Sequence, residues 1–185
     1  MEDNRIRYTK RVIKEKFLEL LDEKPINKIT VTELCSKCEI NRATFYRHYD
    51  DVYDLMNKLE KQFTAELKDA ITVSKDDYTI SGFTEEILEV ILKNKDLSRI
   101  LFSKRTGKEF LHDILVIAHN KCLEKWKLSN KDVTENQVHY LCTFISNGTI
   151  GILEEWIQKD YQEPANEIAD LIENISYFGL NKIIY

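Results

Sequence analysis

Residues that break helices are scarce along this chain. It contains 2 prolines and 5 glycines in 185 residues, and the intervals between them are rich in leucine, lysine and glutamate, which favour helices. Apolar residues recur every three or four positions, as at Leu55, Leu59, Phe63 and Leu67, whereas no segment alternates convincingly between polar and apolar residues as a strand would. The sequence therefore predicts an all-α protein.

Capping residues, prolines and apolar periodicity locate the helices and separate them into two groups. They are predicted at about residues 8–23, 30–39, 42–49 and 52–73, and then at about 84–94, 96–103, 107–128, 134–160 and 164–181. A polar segment that ends in glycine, residues 74–82, is typical of a linker. We therefore expect an N-terminal three-helix domain of the helix-turn-helix class at residues 6–66 and a larger C-terminal helical bundle at residues 83–185.

The charge of the chain differs between its two ends. The net charge is −5, but residues 1–49 carry 11 Lys/Arg against 8 Asp/Glu, and residues 50–185 carry 16 against 24. A mildly basic N-terminal part permits contact with nucleic acid. The N-terminus shows no signal peptide, and no apolar run approaches the roughly 18–20 residues that span a bilayer. We expect a cytoplasmic protein with no membrane partner.

Two short helices joined by a tight turn are predicted within residues 30–49. Thr30 can cap the first helix, with Glu33 three residues later in the spacing of a capping box. Asn41 can cap the second. Helices of this length, in this order, are typical of a helix-turn-helix, whose second helix enters the major groove of DNA.

The second helix, within the run INRATFYRHY of residues 40–49, has two different faces. Phe45 and Tyr49 are four residues apart and are expected to pack inward. Arg42, Thr44 and Arg47 then face outward, where arginine and threonine suit base edges and phosphates. A core segment of a helical bundle is the alternative, but it leaves this outward polar cluster unexplained.

The run at residues 29–55, ITVTELCSKCEINRATFYRHYDDVYDL, resembles the DNA-binding segment of TetR-type (TetR/AcrR) transcriptional regulators. The resemblance covers roughly residues 6–66. It implies a sequence-specific DNA-binding regulator, a ligand-responsive repressor that acts as a homodimer on a double-stranded operator and needs no cofactor. The alternative within the same family is a co-regulator or activator that acts through a protein partner.

The resemblance also implies which residues contact DNA. Hydroxyl and imidazole groups would reach phosphates, and the residues at the start of the second helix would reach bases or the backbone. The implied DNA-binding residues are Thr30, Thr32, Asn41, Arg42, Ala43, Thr44, Tyr46, Arg47 and His48.

The chain departs from the family pattern at two positions. Glu39 stands in the turn where glycine is common, which is costly if the turn needs a left-handed backbone angle. Val52 stands where a lysine often begins the fourth helix, and Asp50 and Asp51 precede it. We expect DNA binding that is weaker or more sensitive to salt than is usual for the family.

The C-terminal part offers candidates for an effector pocket. Histidine, cysteine and tryptophan side chains recur on its predicted helices, although ordinary core packing explains them at least as well. The candidate pocket residues are His119, Cys122, Trp126, His139 and Cys142. The aromatic residues there, among them Tyr140 and Phe144, are interpreted first as core.

The last two helices are apolar over wide arcs, and two small residues, Gly148 and Gly151, suggest close helix approach. In TetR-like proteins the corresponding pair of helices forms a four-helix bundle with its twin. The implied dimer-interface residues are Ile145, Gly148, Ile152, Trp156, Ile168, Leu171, Ile172 and Ile175. The alternative is that these helices are only part of an intramolecular core.

Cys35 and Cys38 form a C-x-x-C pair, which could be half of a zinc site. No second pair of ligands stands at a suitable spacing, and both positions suit small buried residues, so we predict no metal. The sequence also contains no glycine-rich phosphate loop and no arrangement of a nucleophile with a base. We therefore do not expect an enzyme.

Overall fold

The computed structural model describes residues 4–73, 80–103 and 134–184. Within these ranges the chain forms α-helices and no β-strand, which confirms the all-α prediction. The helices are α1 (Asn4–Glu23), α2 (Val31–Lys37), α3 (Arg42–Tyr46), α4 (Val52–Val73), α5 (Ile80–Lys93), α6 (Lys95–Ser103), α7 (Glu135–Gln158) and α8 (Ala165–Ile184). Among the described helices, none combines the length and hydrophobicity required to cross a lipid bilayer.

Several predicted helix boundaries differ from the structure by two residues or more. Helix α1 begins at Asn4 rather than near residue 8, and α3 ends at Tyr46 rather than at residue 49. Helix α5 begins at Ile80, so the last three residues of the predicted linker are helical. Glycine has a low helix propensity, so Gly82 was expected to end the linker, but it lies within α5, which packs against α8. The helix predicted at 107–128 lies outside the described residues.

The chain divides into two compact units, residues 1–62 and 63–185, and the division falls within α4. In the first unit α2 packs against α1 and α3. The fully buried side chains of this unit are apolar or aromatic, as expected for a small three-helix core. They include Ile13, Phe17, Leu20, Leu34, Phe45 and Leu55. The predicted functional domains, residues 6–66 and 83–185, have a different boundary from these two compact units, and they stay predictions.

In the second unit α5 packs against α6 and α8, and α7 packs against α6 and α8. The core of this unit again consists of large apolar side chains. They include Leu88, Ile91, Leu97, Trp156, Ile157 and Ile172. Glu66 on α4 accepts hydrogen bonds from Asn94 (3.1 Å) and Lys93 (3.3 Å), which lie at the junction of α5 and α6.

The turn between α7 and α8, residues 159–164, has two consecutive non-glycine residues with positive φ, Asp160 (57°) and Tyr161 (58°). This conformation is unfavourable for both residues. Polar contacts with α6 oppose that cost: the Tyr161 hydroxyl donates to the carbonyl of Lys95 at 2.9 Å, and Arg99 pairs with Asp160. The Trp156 ring meets Tyr161 edge-on, with 5.1 Å between ring centroids.

Helix α2 ends in a turn that requires a left-handed residue. The N–H of Ile40 donates to the carbonyl of Cys35 at 3.0 Å and that of Glu39 to Ser36 at 3.2 Å, the two bonds of a Schellman motif. Glu39 has φ of 54°. The sequence-based concern about glutamate at this position is therefore justified, because the turn does need the angle that glycine adopts most easily.

Replacing Glu39 with glycine is expected to stabilise the protein by about 0.5–1 kcal/mol, since the relief of the left-handed strain outweighs the entropy that glycine loses on folding. The midpoint of urea unfolding, followed by circular dichroism, measures the change. Glu39→Ala is the control, because it removes the same exposed carboxylate but retains a Cβ. An equal effect of Ala and Gly would show that charge, not backbone strain, governs this position.

Candidate nucleic-acid interface

Helix α2 begins at a threonine cap, as predicted. The Oγ1 atom of Thr30 accepts a hydrogen bond from the N–H of Glu33 at 3.2 Å. In a capping box the glutamate side chain would bind the N–H of the capping threonine. Here the carboxylate of Glu33 instead accepts a hydrogen bond from Lys24 at the end of α1. This bond lowers the pKa of Glu33. The Thr30 hydroxyl proton is not used in the cap, so it remains able to donate to a phosphate oxygen.

Asn41 caps the N-terminus of α3, as predicted, and its Oδ1 atom accepts a hydrogen bond from the N–H of Ala43 at 2.9 Å. Phe45 and Tyr49 are buried, with 5.5 Å between their ring centroids. Tyr46 is 53% exposed and its ring meets Phe45 edge-on. The prediction that Phe45 and Tyr49 pack inward is confirmed.

The structure brings the predicted DNA-binding residues together on α2, α3 and the turn around them. Thr44 and His48 are partly exposed, and the others are exposed: Thr30, Thr32, Asn41, Arg42, Ala43, Tyr46 and Arg47. Among the described residues, neither Arg42 nor Arg47 forms a salt bridge with a carboxylate, so both guanidinium groups remain available to an anion. This surface can bind phosphates and base edges.

The acidic residues at the start of α4 lie where a helix N-terminus favours negative charge, and they accept specific hydrogen bonds there. The Asp51 carboxylate accepts hydrogen bonds from the N–H groups of Tyr53 and Asp54, both at 2.8 Å, and so caps the helix. The Asp54 carboxylate accepts the N–H of Asp50 at 3.0 Å. Val52 is 5% exposed and belongs to the core, which explains an apolar residue where the family often has lysine.

Cys35 and Cys38 are buried on α2, and the thiol of Cys38 lies 3.8 Å from the carbonyl oxygen of Val12. Burial raises the pKa of Cys35 and raises that of Cys38 to about 11. In the described part of the chain, no group of three or more His, Cys, Asp or Glu residues could hold a metal ion. Both cysteines are used as small core residues.

The predicted effector pocket is described only in part. His119, Cys122 and Trp126 lie outside the described residues. His139 is exposed, whereas Cys142 is completely buried; the assignment of the five residues to an effector pocket stays a prediction. A surface concavity of about 550 Å³ lies elsewhere on α7, and its lining is polar apart from glycine: Gly151, Glu154, Glu155, Gln158 and Lys159.

The predicted dimer-interface residues fall into two sets. Trp156, Ile168 and Ile172 are covered by the chain itself, with 2–6% exposure. Their side chains therefore belong to the intramolecular core and offer little surface to a second copy. The remaining residues are partly or fully exposed: Ile145, Gly148, Ile152, Leu171 and Ile175.

Two exposed aromatic residues were assigned to the wrong environment by sequence reasoning. The sequence pattern predicts that Tyr140 and Phe144 belong to the core, but they are 73% and 69% exposed. They lie four residues apart on α7, in a series with Gly148 and Gly151 at helical spacing. The helical spacing of these four residues was visible in the sequence. Apolar periodicity indicates that a surface is buried, but it does not indicate whether the same chain or a second chain buries it.

Comparison with known proteins identifies the family to which this helical architecture belongs. A family model described as a transcriptional regulator C-terminal region, TetR_C_8, matches residues 78–177, more than half of the chain. The chain belongs to the TetR family of transcriptional regulators. This is a family of regulators rather than of enzymes, and it carries a DNA-binding helix-turn-helix.

Individual relatives agree with this assignment. The chain is 24% identical over 170 residues to the uncharacterized HTH-type transcriptional regulator YxbF of Bacillus subtilis (strain 168). That match covers 90% of this chain but 44% of YxbF, so the chain spans less than half of the length of this relative.

Two solved structures show the same fold. The dihydroxyacetone kinase operon activator DhaS superposes with a TM-score of 0.67 and 19% identity, covering 96% of this chain and 98% of DhaS. A transcriptional regulator from Aquifex aeolicus VF5 gives 0.66 and 18%, covering 95% and 99%. At these identities the similarity concerns the fold of TetR-family proteins.

The environment of the two cysteines on α2 predicts low reactivity. Because burial shields both thiols and raises the pKa of each, we expect alkylation of Cys35 and Cys38 by iodoacetamide to be about tenfold slower, or more, in the native protein than in the unfolded chain. Mass spectrometry of the peptide that contains both residues measures the extent of modification. Equal rates before and after unfolding in guanidinium chloride would contradict the buried, protonated state.

Proposed function

We propose that this TetR-family protein is a homodimeric, sequence-specific DNA-binding regulator that uses α2 and α3 as its helix-turn-helix. The observation that carries the proposal is the surface of α3. Arg42, Tyr46 and Arg47 are exposed on a helix that Phe45 holds in the core. Such a surface suits insertion into the major groove, with two copies occupying successive grooves of a near-palindromic operator.

The contacts can be assigned by chemistry. Thr30, at the start of α2, has a hydroxyl proton for a phosphate oxygen, and the phenol of Tyr46 has another. Arg42 and Arg47 carry guanidinium groups that suit phosphates or the O6 and N7 atoms of guanine. Ala43 is exposed and small, so it lets the backbone of α3 approach a base edge closely.

Exposed carboxylates near this surface oppose binding. Glu39 and Asp50 are exposed on either side of α3 in the sequence, and the Asp50 carboxylate would repel nearby phosphates. Much of the affinity must then come from a small number of cations that displace counterions from DNA. Binding should accordingly weaken steeply as salt concentration rises.

We expect Arg47→Ala and Tyr46→Ala each to weaken DNA binding by about tenfold or more, because each removes a group that touches DNA and leaves the core intact. The measurement is fluorescence anisotropy with a labelled duplex that the wild-type protein has enriched from a random library. If Arg47 contacts a phosphate, its removal also decreases the magnitude of the negative slope of log K against log salt by about one.

Lys159→Ala is the matched control, since it removes a cation from the second unit, where Lys159 pairs with Glu155 at 2.8 Å. It should leave affinity unchanged. Circular dichroism shows whether each variant retains its helices. Wild-type affinity in both folded α3 variants would reject α3 as the DNA-binding surface.

The homodimer part of the proposal is supported by the surface of α7 and α8. Tyr140 and Phe144 on α7, and Leu171 and Ile175 on α8, are large apolar side chains that the chain leaves exposed. A Cβ added at Gly148 or Gly151 would meet nothing within 4 Å among the described residues. Close approach to the described part of the chain therefore does not explain these glycines, whereas packing against a second copy would.

Phe144→Glu is expected to weaken dimerisation by about tenfold or more, because association would bury a carboxylate in an apolar interface. Sedimentation equilibrium over a range of protein concentrations gives the dimer dissociation constant. The control is Tyr53→Glu on α4, another exposed aromatic residue at 54%, which should not alter it. A dimer of unchanged strength in Phe144→Glu would exclude this face of α7 from the interface.

Regulation by a small-molecule effector completes the proposal. The effector would bind within residues 83–185 and change the affinity for DNA, which requires that it bind the DNA-competent and incompetent states with different affinities. Repression follows if the operator overlaps the promoter. A protein with this activity acts where the chromosome is, so we assign it to the cytoplasm.

A co-regulator or activator that works through a protein partner is the second candidate. The observation in its favour is that Val52 is buried where the family often has a phosphate-binding lysine, and Asp50 is exposed beside it. A transcription assay with purified polymerase and the enriched DNA site distinguishes the two roles by the sign of the effect. Failure to enrich any DNA site would favour the partner-dependent role.

A further inference from the structure

Lys58 on α4 makes three contacts near the C-terminal end of α3, the proposed DNA-binding helix. Its ammonium nitrogen lies 2.9 Å from the carbonyl oxygen of His48 and 2.8 Å from the Oδ2 atom of Asp54. It also lies 5.4 Å from the centroid of the Tyr49 ring. Lys58 therefore connects α4 with two residues of the turn between α3 and α4.

Each partner suits a cation for a different reason. The carbonyl of His48, two residues beyond the end of α3, is a backbone acceptor with partial negative charge on its oxygen. Asp54 supplies a full negative charge, and the face of the Tyr49 ring attracts cations. We refer to Lys58, Asp54, the His48 carbonyl and the Tyr49 ring as the lysine clamp.

Two partners of Lys58, Asp54 and Tyr49, are themselves held in place. Asp54 accepts the backbone N–H of Asp50 as well as the lysine, so its carboxylate ties the α3–α4 turn to α4. The hydrogen bond from Lys58 is the main cause of the lowered pKa of Asp54, followed by the bond from Asp50. Asp54 is therefore ionised at neutral pH. Tyr49 is buried, 7% exposed, so its ring cannot move away freely.

We propose that Lys58 is a positioning residue for DNA binding: through the lysine clamp it sets the orientation of the end of α3 relative to α4. Arg47 and His48 lie within the segment that the clamp fixes, and both are among the proposed DNA contacts. The inference rests on the proposed function, because it requires that α3 bind DNA.

The alternative role for Lys58 is a direct phosphate contact that replaces the lysine absent at Val52. The geometry favours positioning. An ammonium group has three protons; two are donated to His48 and Asp54, and its charge also lies over the Tyr49 ring. These contacts are already made in the protein alone, whereas a phosphate could use only the one remaining proton.

The two roles differ in a measurable way. A variant that lacks one phosphate contact releases fewer counterions when it binds DNA. The slope of log K against log salt, which is negative, then decreases in magnitude by about 0.9. Loss of a positioning residue weakens binding while the number of phosphate contacts, and so the slope, stays the same. We expect Lys58→Met, which keeps the aliphatic stem, to weaken binding to the enriched duplex by about tenfold with an unchanged slope.

Lys61→Met is the matched control, because Lys61 is also exposed on α4 and the substitution removes the same charge. It should change affinity by less than about twofold. A decrease of about one in the slope for Lys58→Met would assign Lys58 to a phosphate, and wild-type affinity in the folded variant would reject the clamp. Either result overturns the positioning role.

Asp54→Ala provides a second test in which the two explanations predict opposite signs. Removing a carboxylate near DNA strengthens binding if only net charge matters, whereas it weakens binding if Asp54 holds Lys58 in place. Stronger binding would overturn the inference. Arg47→Ala distinguishes failure of this inference from failure of the proposed function. If Arg47→Ala weakens DNA binding while Lys58→Met does not, only the lysine clamp is rejected. If neither substitution changes the affinity for DNA, α3 is not the DNA-binding helix.

Discussion

The burial of Phe45 is the interaction on which the DNA-binding surface depends. Helix α3 has five residues, far fewer than the 12–15 that an isolated helix needs for even marginal stability in water. Its conformation is therefore maintained by tertiary contacts and by its ends. Phe45 is completely buried and Tyr49 nearly so, and this anchoring leaves Arg42, Tyr46 and Arg47 exposed on a fixed backbone.

The ends of the short helices supply the rest of that rigidity. Thr30, Asn41 and Asp51 each cap a helix through a side-chain oxygen, and the left-handed Glu39 closes the turn between α2 and α3. Lys58 then binds the carbonyl of His48 beyond the other end of α3. Polar groups thus fix the positions of helices that are too short to position themselves, and some of these same groups remain available to DNA.

The second unit uses its apolar residues differently along the same helices. Trp156, Ile168 and Ile172 are buried within the chain, whereas Phe144, Leu171 and Ile175 are exposed. One helix can contribute to both surfaces because its residues face different directions at 100° per residue. A wide apolar arc in a sequence therefore contains two kinds of information, a core and a surface for a partner, which periodicity alone cannot separate.

The sequence by itself determined the helical class, the caps at Thr30 and Asn41, and the two faces of α3, because these follow from local propensity and from spacing within one helix. It also located the unfavourable position of Glu39. Only the tertiary structure decided that Tyr140 and Phe144 are exposed, that Val52 is core, and that Lys58 lies against the His48 carbonyl and the Tyr49 ring. These properties depend on which residues distant in sequence, or later along the same helix, come within a few ångströms, and no local pattern encodes that distance.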